Sequence, residues 1–310
     1  MTKIVTMTVT KKEPTPRFDV CAVGHITRDI VQAAGKAART QTGGGAYYAA
    51  SACRALGLAT CVVTRMAAED EALLEGLRAA GVTVVRRESR STTVFETVYE
   101  DDAHTRVQTA LAVADPFAAA DLAEVAARAF VLDPLVDEDF GDFLAAAAAG
   151  GALVALDAQG LVRKLMQPGV SEAARRLMLR ALSRVDVLKA DVREAEALTG
   201  AREPGPAAAA LSGLGPREVI VTMGAQGAVL SAGGRLEPVP ALRPRAVVDA
   251  TGCGDSFLAA YVARRLEGET PPASARFAAA LAALKIERHG PFAGSRDEVE
   301  RRLAEGGAIP

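Results

Sequence analysis

The sequence predicts an α/β fold in which helices cover both faces of a mainly parallel β-sheet. Short apolar runs alternate with longer Ala-rich and charged stretches along most of the chain, an order typical of parallel strands joined by helices. The composition, 50% hydrophobic and 24% charged over 310 residues, is that of a globular protein with a sizeable core. Because no tandem repeat or long linker interrupts the alternation, we expect a single domain over residues 1–310.

The first part of the chain predicts two strands, each followed by a helix. In chain order these segments are residues 18–24, 43–57, 59–66 and 69–81. Both helical segments end at a glycine, Gly57 and Gly81, the residue that most readily adopts the backbone conformation found just after a helix.

Two segments depart from this alternation. Residues 92–113 mix β-branched and aromatic residues with polar ones around a central EDDAH at 100–104, a pattern that predicts a β-hairpin with one face in water. Residues near 26–42 predict further polar strands. Together, the segments near 26–42 and 92–112 would form a small β-sheet, or lid, beside the main sheet.

The second part of the chain returns to alternating strands and helices. The predicted strands are residues 129–135, 152–160, 185–191, 217–224 and 246–252. The predicted helices are residues 137–150, 170–185 and 192–200 and one that starts at Asp255. Residues 202–206 (REPGP) predict a short loop rather than a domain linker.

Charge and composition argue against several classes of partner. The net charge is −2, Lys and Arg are scattered, and Trp is absent, so neither nucleic acid nor a membrane surface is an expected partner. No run approaches the roughly 18 apolar residues of a membrane helix, and residues 1–17 predict a polar tail rather than a signal peptide. The spacing of the cysteines, none in CxxC order, favours small core residues in a reducing cytoplasm.

The stretch DATGCGD, residues 249–255, carries the clearest sign of chemistry. Its glycines, Gly252 and Gly254, allow a tight turn that brings backbone N–H groups to the start of a helix, where anions are favoured. Asp255 would lie beside that anion and could accept a proton from a hydroxyl that attacks a phosphate. On spacing alone, an N-cap worth ~1 kcal/mol explains Asp255 equally well.

Four stretches together resemble the ribokinase-like (PfkB) carbohydrate kinases. They are VVDATGCGDSFLAAYV (247–262), GGGAYYAASACRALG (43–57), VLKADVREAEALTG (187–200) and VIVTMGAQGAVL (219–230). The resemblance implies a three-layer sandwich with a mainly parallel central sheet and a small β-lid. It implies transfer of the ATP γ-phosphoryl to a hydroxyl of a sugar, polyol or nucleoside. A homodimer through the lid is a further prediction.

The resemblance also implies roles for the residues of the glycine turn. Asp255 would be the general base, and the N–H groups of Gly252, Cys253 and Gly254 would form an anion hole for the developing charge. The Cys253 thiol would not react, because a small side chain there lets the backbone do the chemistry.

The donor and its ions have further candidates. Thr222, Gly224 and Gly227 would lie beside ATP and Lys189 near phosphate, although a bare turn and a solvated lysine fit the spacing as well. Asp191, where the family usually has Asn, and Glu194 would organise Mg²⁺ and its waters; without the resemblance they predict a capped surface helix with a salt bridge. In some relatives a monovalent cation binds nearby, and Asp249 and Ser295 are the candidates to hold K⁺.

The acceptor site is predicted from six residues: Asp29, Gly43, Gly44, Gln108, Gln159 and Arg163. Carboxylate, amide and guanidinium groups suit a ligand rich in hydroxyls. The combination GGxAYYAA, TTVFExxY and DxQGxxR, with Tyr48 where the family often has Asn, resembles the branch that contains archaeal-type myo-inositol kinases. The sequence therefore favours myo-inositol as the acceptor.

Other functions stay open at this stage. The acceptor could be a nucleoside or another sugar, and a non-catalytic sugar or nucleotide sensor could share the fold, because fold does not determine function. A nicotinamide oxidoreductase is disfavoured, since GxGxxG does not follow the first predicted strand.

Overall fold

The computed structural model describes residues 17–33, 37–99, 106–136 and 141–306. Its strands, in chain order, are β1 Phe18–Val23, β2 Thr27–Ala33, β3 Arg39–Gly43, β4 Thr60–Met66, β5 Thr83–Glu88, β6 Val94–Tyr99, β7 Arg106–Ala112, β8 Ala127–Leu132, β9 Leu153–Asp157, β10 Val187–Asp191, β11 Glu218–Thr222, β12 Ala228–Ala232 and β13 Arg235–Val239. Its α-helices are α1 Gly45–Ala55, α2 Glu75–Ala79, α3 Gly141–Ala148, α4 Gln159–Leu165, α5 Glu172–Ala181, α6 Val192–Thr199, α7 Pro204–Ser212, α8 Cys253–Leu266, α9 Pro271–Lys285 and α10 Arg296–Glu305.

The main sheet has the strand order β13-β12-β11-β10-β9-β8-β1-β4-β5 within the described residues. All neighbours from β11 through β5 pair in parallel, and β12 and β13 add an antiparallel edge beyond β11. The mainly parallel sheet predicted from the alternation of apolar runs is therefore confirmed.

Side chains on β1 show how one strand serves two cores. Val20 and Ala22 belong to the core formed with α1, α8 and α9. Cys21 and Val23 point the other way, into the core formed with α3 to α7, because successive residues of a strand face opposite sides of the sheet. The sheet thus lies between two helical layers and has no face in water along β1.

A second, smaller sheet has the order β3-β2-β6-β7 among the described residues, and we call it the lid sheet. Strands β6 and β7 form the predicted antiparallel hairpin, and β2 pairs with β3 in antiparallel and with β6 in parallel orientation. Its strands come from the two segments that the sequence sets apart, near 26–42 and 92–112. Residues 34–36 and 100–105, which include the EDDAH turn, lie outside the described residues, as do residues 1–16 of the predicted tail.

Two of the predicted elements are wrong. Residues 246–252 do not form a strand: Val247 is 74% exposed, and the N–H groups of Val248 and Asp249 donate to the carbonyl of Ile286 instead of to a sheet. The predicted loop at 202–206 contains the start of α7, which begins at Pro204, a residue well suited to a first helical turn. The predicted helix 69–81 is confirmed as a helical segment, but its first part, Ala68–Leu74, is a 3₁₀ helix and the α-helix α2 follows it.

The strand order places a crevice at the carboxyl end of β1 and β8. From β1 the chain continues sideways to β4 and β5, whereas β8 starts the half that runs through β9, β10 and β11 in the opposite direction. Ligands of open α/β sheets bind at such a reversal. Searched over the described residues, no helix combines the length and apolar character needed to cross a bilayer.

Candidate active site

Two pockets meet at the start of α8. One has a volume of about 190 Å³ and a polar lining that includes Asp29, Asp157 and Asp255. The other has a volume of about 560 Å³ and a mostly apolar lining. Ala250 and Gly254 line both pockets, so a molecule in one can approach a molecule in the other at the glycine turn.

The turn before α8 requires glycine. Gly252 has a φ of 77° and caps the helix, and a Cβ there would lie 2.2 Å from the ring of Tyr48. The N–H of Cys253 donates to the carbonyl of Ala250 at 3.2 Å, so this predicted anion-hole donor is shared with the turn. Burial raises the pKa of the Cys253 thiol to about 11, in keeping with an unreactive side chain.

Asp255 lies in the first turn of α8 and lines the polar pocket. Because the N-cap is Gly252, the interpretation of Asp255 as the N-cap is wrong. Burial, reinforced by the charge of Asp157 and opposed by Lys189, raises the pKa of the Asp255 carboxyl to about 6. A carboxyl with that pKa is mostly ionised at neutral pH and can accept a proton.

Two more carboxylates converge on Asp255. Asp157 ends β9 and Asp133 directly follows β8, and the three side chains each bring an oxygen within 4.8 Å of the others. Sequence reasoning missed both residues, although each comes at the end of a predicted parallel strand, where such side chains gather. Oxygen ligands in this arrangement also suit a divalent cation.

Lys189 supplies a positive charge to this cluster. Its Nζ donates to an Asp157 carboxylate oxygen at 2.8 Å and its side chain is only 7% exposed, so the alternative of a solvated lysine is wrong. Burial lowers the pKa of Lys189, but the negative charges of Asp157, Glu194 and Asp255 together outweigh this and hold the pKa above its ordinary value. A Cβ on Gly254 would lie 2.8 Å from the Lys189 Nζ, so the ammonium lies against the glycine turn.

Asp191 and Glu194 form a capping box at the start of α6. Asp191 Oδ1 accepts the Glu194 N–H at 2.8 Å, and Glu194 Oε2 accepts the Asp191 N–H at 2.7 Å. Both residues also line the polar pocket, so the cap does not exclude a role there. Each carboxylate keeps a second oxygen outside the box, and this donor set fits Mg²⁺ held partly through water. Burial, with the nearby Asp157 charge, raises the pKa of Glu194 to about 7.

Asp29 lies where β2 of the lid sheet faces the polar pocket. Its carboxylate accepts the Thr27 hydroxyl at 2.6 Å, and burial raises its pKa. A Cβ on Gly43 would lie 2.1 Å from an Asp29 carboxylate oxygen, so Gly43 makes room for Asp29 rather than lining the pocket. Gly44, with a φ of 98°, lines the pocket directly.

Arg163 joins the lid sheet to the body across the polar pocket. Its Nη2 donates to Gln108 Oε1 of β7 at 2.9 Å, and its guanidinium lies 5.4 Å from the ring centroid of Phe95 on β6. Gln159, also predicted, lines the same pocket from the start of α4. The structure thus brings five of the six predicted acceptor residues, all but Gly43, to one pocket from distant parts of the sequence.

The predicted donor residues line the apolar pocket. Thr222, Gly224 and Gly227 lie there with Cys253 and Gly254. Apolar side chains from four parts of the chain complete the lining: Val239, Leu242, Val247, Phe257 and Ile286. Such a wall suits the flat face of a purine base.

Asp249 and Ser295, the candidates for K⁺, line neither pocket. The Ser295 hydroxyl accepts the Glu298 N–H at 3.3 Å and caps α10. Asp249 accepts the N–H groups of Thr251 and Gly290 at 3.0 and 3.2 Å. Burial pushes the pKa of Asp249 up, but the Thr251 N–H and the charge of Lys285 outweigh it and leave the pKa below its ordinary value. Sequence reasoning did not single out Lys285 within its segment.

Comparison with known proteins agrees with the architecture and the motifs. Residues 17–297 match the family described as pfkB family carbohydrate kinase. The chain therefore belongs to the pfkB family of carbohydrate kinases. The predicted membership is confirmed.

Individual relatives differ in what their names say they act on. A 2-dehydro-3-deoxygalactonokinase of Haloferax volcanii is 34% identical over 57% of this chain, and the match spans only 55% of that relative's length. A cytidine kinase of Thermococcus kodakarensis is 27% identical over 79% of this chain and 88% of its own length. A solved structure described as a pyrophosphate-dependent kinase in the ribokinase family, complexed with a pyrophosphate analog and myo-inositol, is 27% identical. It covers 91% of this chain and 99% of its own with a TM-score of 0.79, which confirms the ribokinase-like fold.

Proposed function

We propose that the protein transfers the γ-phosphoryl group of ATP to a hydroxyl of a small polyhydroxylated acceptor, with myo-inositol as the first choice. The acceptor would bind in the polar pocket and ATP in the apolar one. The observation that carries the proposal is the position of Asp255, which lines the acceptor pocket at the point where Gly254 joins it to the donor pocket. In-line phosphoryl transfer needs the two substrates to meet beside a base in this way.

Each step of the proposed phosphoryl transfer can be assigned to residues that the structure describes. Asp255 accepts the proton of the attacking hydroxyl, and the backbone N–H groups at Gly252 and Gly254, with Lys189, stabilise charge on the transferred phosphoryl oxygens. Asp191 and Glu194 would hold Mg²⁺ through water, and Mg²⁺ would neutralise charge on the donor phosphates. The lid sheet would shield the reaction from water when the acceptor binds.

The choice of donor rests on the apolar pocket. Pyrophosphate has no apolar part, so it would leave unused the apolar wall of Val239, Phe257 and Ile286 in the cavity of about 560 Å³. A purine base buries its faces against such a wall. We therefore expect ATP to serve, although the similar kinase in complex with myo-inositol is described as pyrophosphate-dependent.

The choice of acceptor rests on the chemistry of the polar pocket. Asp29 accepts hydrogen bonds, Arg163 donates them, and Gln108 and Gln159 can do either. This set suits a neutral ring of hydroxyls, and Asp29 would repel a nearby phosphate. The cationic side chain of Arg163 favours an anionic sugar acid instead. A homodimer through the lid sheet stays a prediction.

A donor and acceptor screen tests the proposal. The purified protein is assayed with ATP or pyrophosphate against myo-inositol, ribose, fructose, fructose 6-phosphate, a sugar acid and cytidine. We expect ATP with myo-inositol to have the highest kcat/KM by about tenfold or more, since a hydrogen-bonding site rejects ligands that leave its polar groups unpaired. A phosphosugar, sugar acid or nucleoside that is preferred by that margin would exclude the inositol assignment, and no turnover with any pair would favour a sensor.

A cavity-filling variant tests the donor separately. Ala283 of α9 is buried and lines the apolar pocket, so Ala283→Phe should weaken the use of ATP by blocking the base. Pyrophosphate does not need that space, and any turnover with it should survive the substitution. Equal loss with both donors would mean that the variant damages the fold or that the base binds elsewhere.

A further inference from the structure

Lys285 is a buried lysine beside the glycine turn and outside both pockets. It is the last residue of α9 and is only 1% exposed. Its Nζ donates to the backbone carbonyl of Asp249 at 2.9 Å and lies 3.6 Å from a carboxylate oxygen of the same residue. Lysines are almost never fully buried unless they are paired. The pairing with Asp249 is therefore the reason this lysine can lie in the core.

The oxygens of Asp249 converge on this ammonium. Besides its contact with Lys285, the Asp249 carboxylate accepts the backbone N–H groups of Thr251 and Gly290. The N–H groups of Val248 and Asp249 reach the carbonyl of Ile286. Polar contacts thus hold together the two chain segments 248–251 and 285–290. The Lys285 ammonium lies beside the Asp249 carboxylate, which supplies the negative charge there.

The same ammonium is connected to the anion hole through an aromatic ring. Lys285 Nζ lies 5.7 Å from the ring centroid of Tyr48, a distance at which a cation is attracted to an aromatic face. That ring fills the space beside Gly252, where a Cβ would approach it to 2.2 Å. Removal of the ammonium would leave the Asp249 charge uncompensated next to a site for anionic phosphates, and would free the ring that supports Gly252.

We propose that the Lys285 ammonium is a built-in cation that holds the Asp249–Gly252 turn in the shape that receives the donor phosphates, so that the protein needs no dissolved monovalent cation. Lys285 is in this respect a positioning residue, because it acts through the turn and touches neither substrate pocket. The inference rests on the proposed function for its effect on turnover. It gives Asp249 a partner from within the chain, in place of the K⁺ that the resemblance to the family implies.

Three variants separate charge from packing. Lys285→Ala removes the ammonium and leaves space for a small cation, whereas Lys285→Met fills that space with an uncharged chain of similar length. Arg276→Met removes an exposed positive charge from the same helix and is the matched control. For each protein, kcat and KM for ATP are measured in K⁺ and in tetramethylammonium, a cation too large for the site.

We expect the wild type and Arg276→Met to have equal rates in both salts. Lys285→Ala should lose about tenfold or more in kcat in tetramethylammonium, less than the ~10²–10³ for loss of a direct transition-state donor, because Lys285 acts only through the turn. K⁺ or ethylammonium should restore part of that rate in Lys285→Ala, but not in Lys285→Met. A purely structural role would show the loss without the rescue.

Two results would overturn the proposal. One is a wild-type protein that slows by about tenfold without K⁺, and the other is a Lys285→Ala protein that keeps its rate or is rescued by no cation. Binding of a non-hydrolysable ATP analogue, measured by calorimetry in the same salts, needs no acceptor. If no acceptor is phosphorylated, the proposed function fails, while the analogue's dependence on K⁺ in wild type and Lys285→Ala still decides the role of Lys285. If the variants do not fold, the wild-type comparison of the two salts decides it.

Discussion

Asp255 is a carboxylate in a place that disfavours its charge. Asp157 and Asp133 bring further carboxylate oxygens within 4.8 Å, and burial and the Asp157 charge raise the Asp255 pKa to about 6. A group whose ionised form is disfavoured by the fold makes the native state less stable at neutral pH. Such costs are typical of residues kept for function.

We predict that Asp255→Asn loses activity and gains stability. The amide cannot accept a proton, so kcat should fall by ~10²–10⁴, while ATP affinity changes little. The fold raises the pKa of Asp255 from an ordinary 3.8 to about 6, so its ionised form destabilises the native state. Removal of that charge should raise the free energy of unfolding at pH 7–8 by up to about 3 kcal/mol. Steady-state kinetics and urea unfolding measure the two effects. Glu300→Gln, an exposed substitution on α10, is the control and should alter neither activity nor stability. An Asp255→Asn protein that unfolds more easily and is still active would refute the catalytic role.

The pH profile of the wild type should report the same group. Because the base must be ionised, kcat/KM is expected to fall as the pH drops through about 6, the raised pKa of Asp255. Asp157→Asn removes a negative charge that raises this pKa and leaves the opposing charge of Lys189, so the acid limb should move to lower pH. The measurement is kcat/KM against pH for both proteins, since this ratio reports the free enzyme. An acid limb at the same pH in both would mean that another group controls it.

At the level of elements, the lid sheet is attached to the body around His25. The imidazole Nε2 lies 3.1 Å from the carbonyl of Asp115, just beyond β7, and Nδ1 lies 3.0 Å from the hydroxyl of Thr93, just before β6. The Ala114 N–H also donates to that hydroxyl at 3.0 Å. The base of the lid sheet is thus anchored to the body. Away from this anchor, β7 carries exposed residues, among them Val107 and Leu111. Local stability should differ along the lid sheet accordingly.

We predict that acceptor binding slows hydrogen exchange in the lid sheet. A ligand that touches Asp29 on β2 and Gln108 on β7 as well as Arg163 of the body would add contacts across the pocket. Amides of β2, β3, β6 and β7 should exchange more slowly with the correct acceptor, while β1 and β4 in the main sheet stay the same. Exchange followed by mass spectrometry measures this, with a non-substrate polyol as the control. Equal exchange in both states would argue against closure of a lid.

At the scale of the whole molecule, His25 links stability to pH. It is 0% exposed, and burial lowers its pKa to about 4 from an ordinary 6.5. A histidine whose pKa is lower in the folded than in the unfolded state favours folding only while it is neutral. Its contribution to the free energy of unfolding is therefore complete above pH 6.5 and is lost as the pH falls towards 4. The shift corresponds to about 3 kcal/mol at most. Asp255 and Glu194 have raised pKa values, so they have the opposite effect and favour the folded state as the pH falls from 7 to 4.

We predict that the stability advantage of wild type over His25→Gln shrinks as the pH drops. Glutamine can keep polar contacts but does not titrate, so its stability does not fall with pH in the way that of His25 does. The difference in the free energy of unfolding between wild type and His25→Gln should therefore be largest near pH 7.5 and smaller by pH 5. Urea unfolding at several pH values measures it. A constant difference for His25→Gln would mean that the imidazole titrates normally.

Local features of the chain were enough to predict most strands and helices and the glycine turn before Asp255. Hydrophobic periodicity and helix-ending glycines depend on neighbours within a few residues, and so do the glycines before Asp255. The segment 246–252 shows the limit of such reasoning. It has the apolar character of a strand, but its backbone pairs with Ile286, a partner that cannot be read from the segment itself.

The rest of the site was decided by packing between distant parts of the chain. Asp133, Asp157 and Lys189 each lie at or near the end of a predicted strand, but they meet only because β8, β9 and β10 lie side by side with their carboxyl ends together. Lys285 belongs to the turn at Asp249 because α9 ends beside it. The sequence by itself therefore determined the order of elements, the family and the turn that bears Asp255. Only the tertiary structure decided which charges face that carboxylate, because electrostatic interactions depend on distance in space and not on separation along the chain.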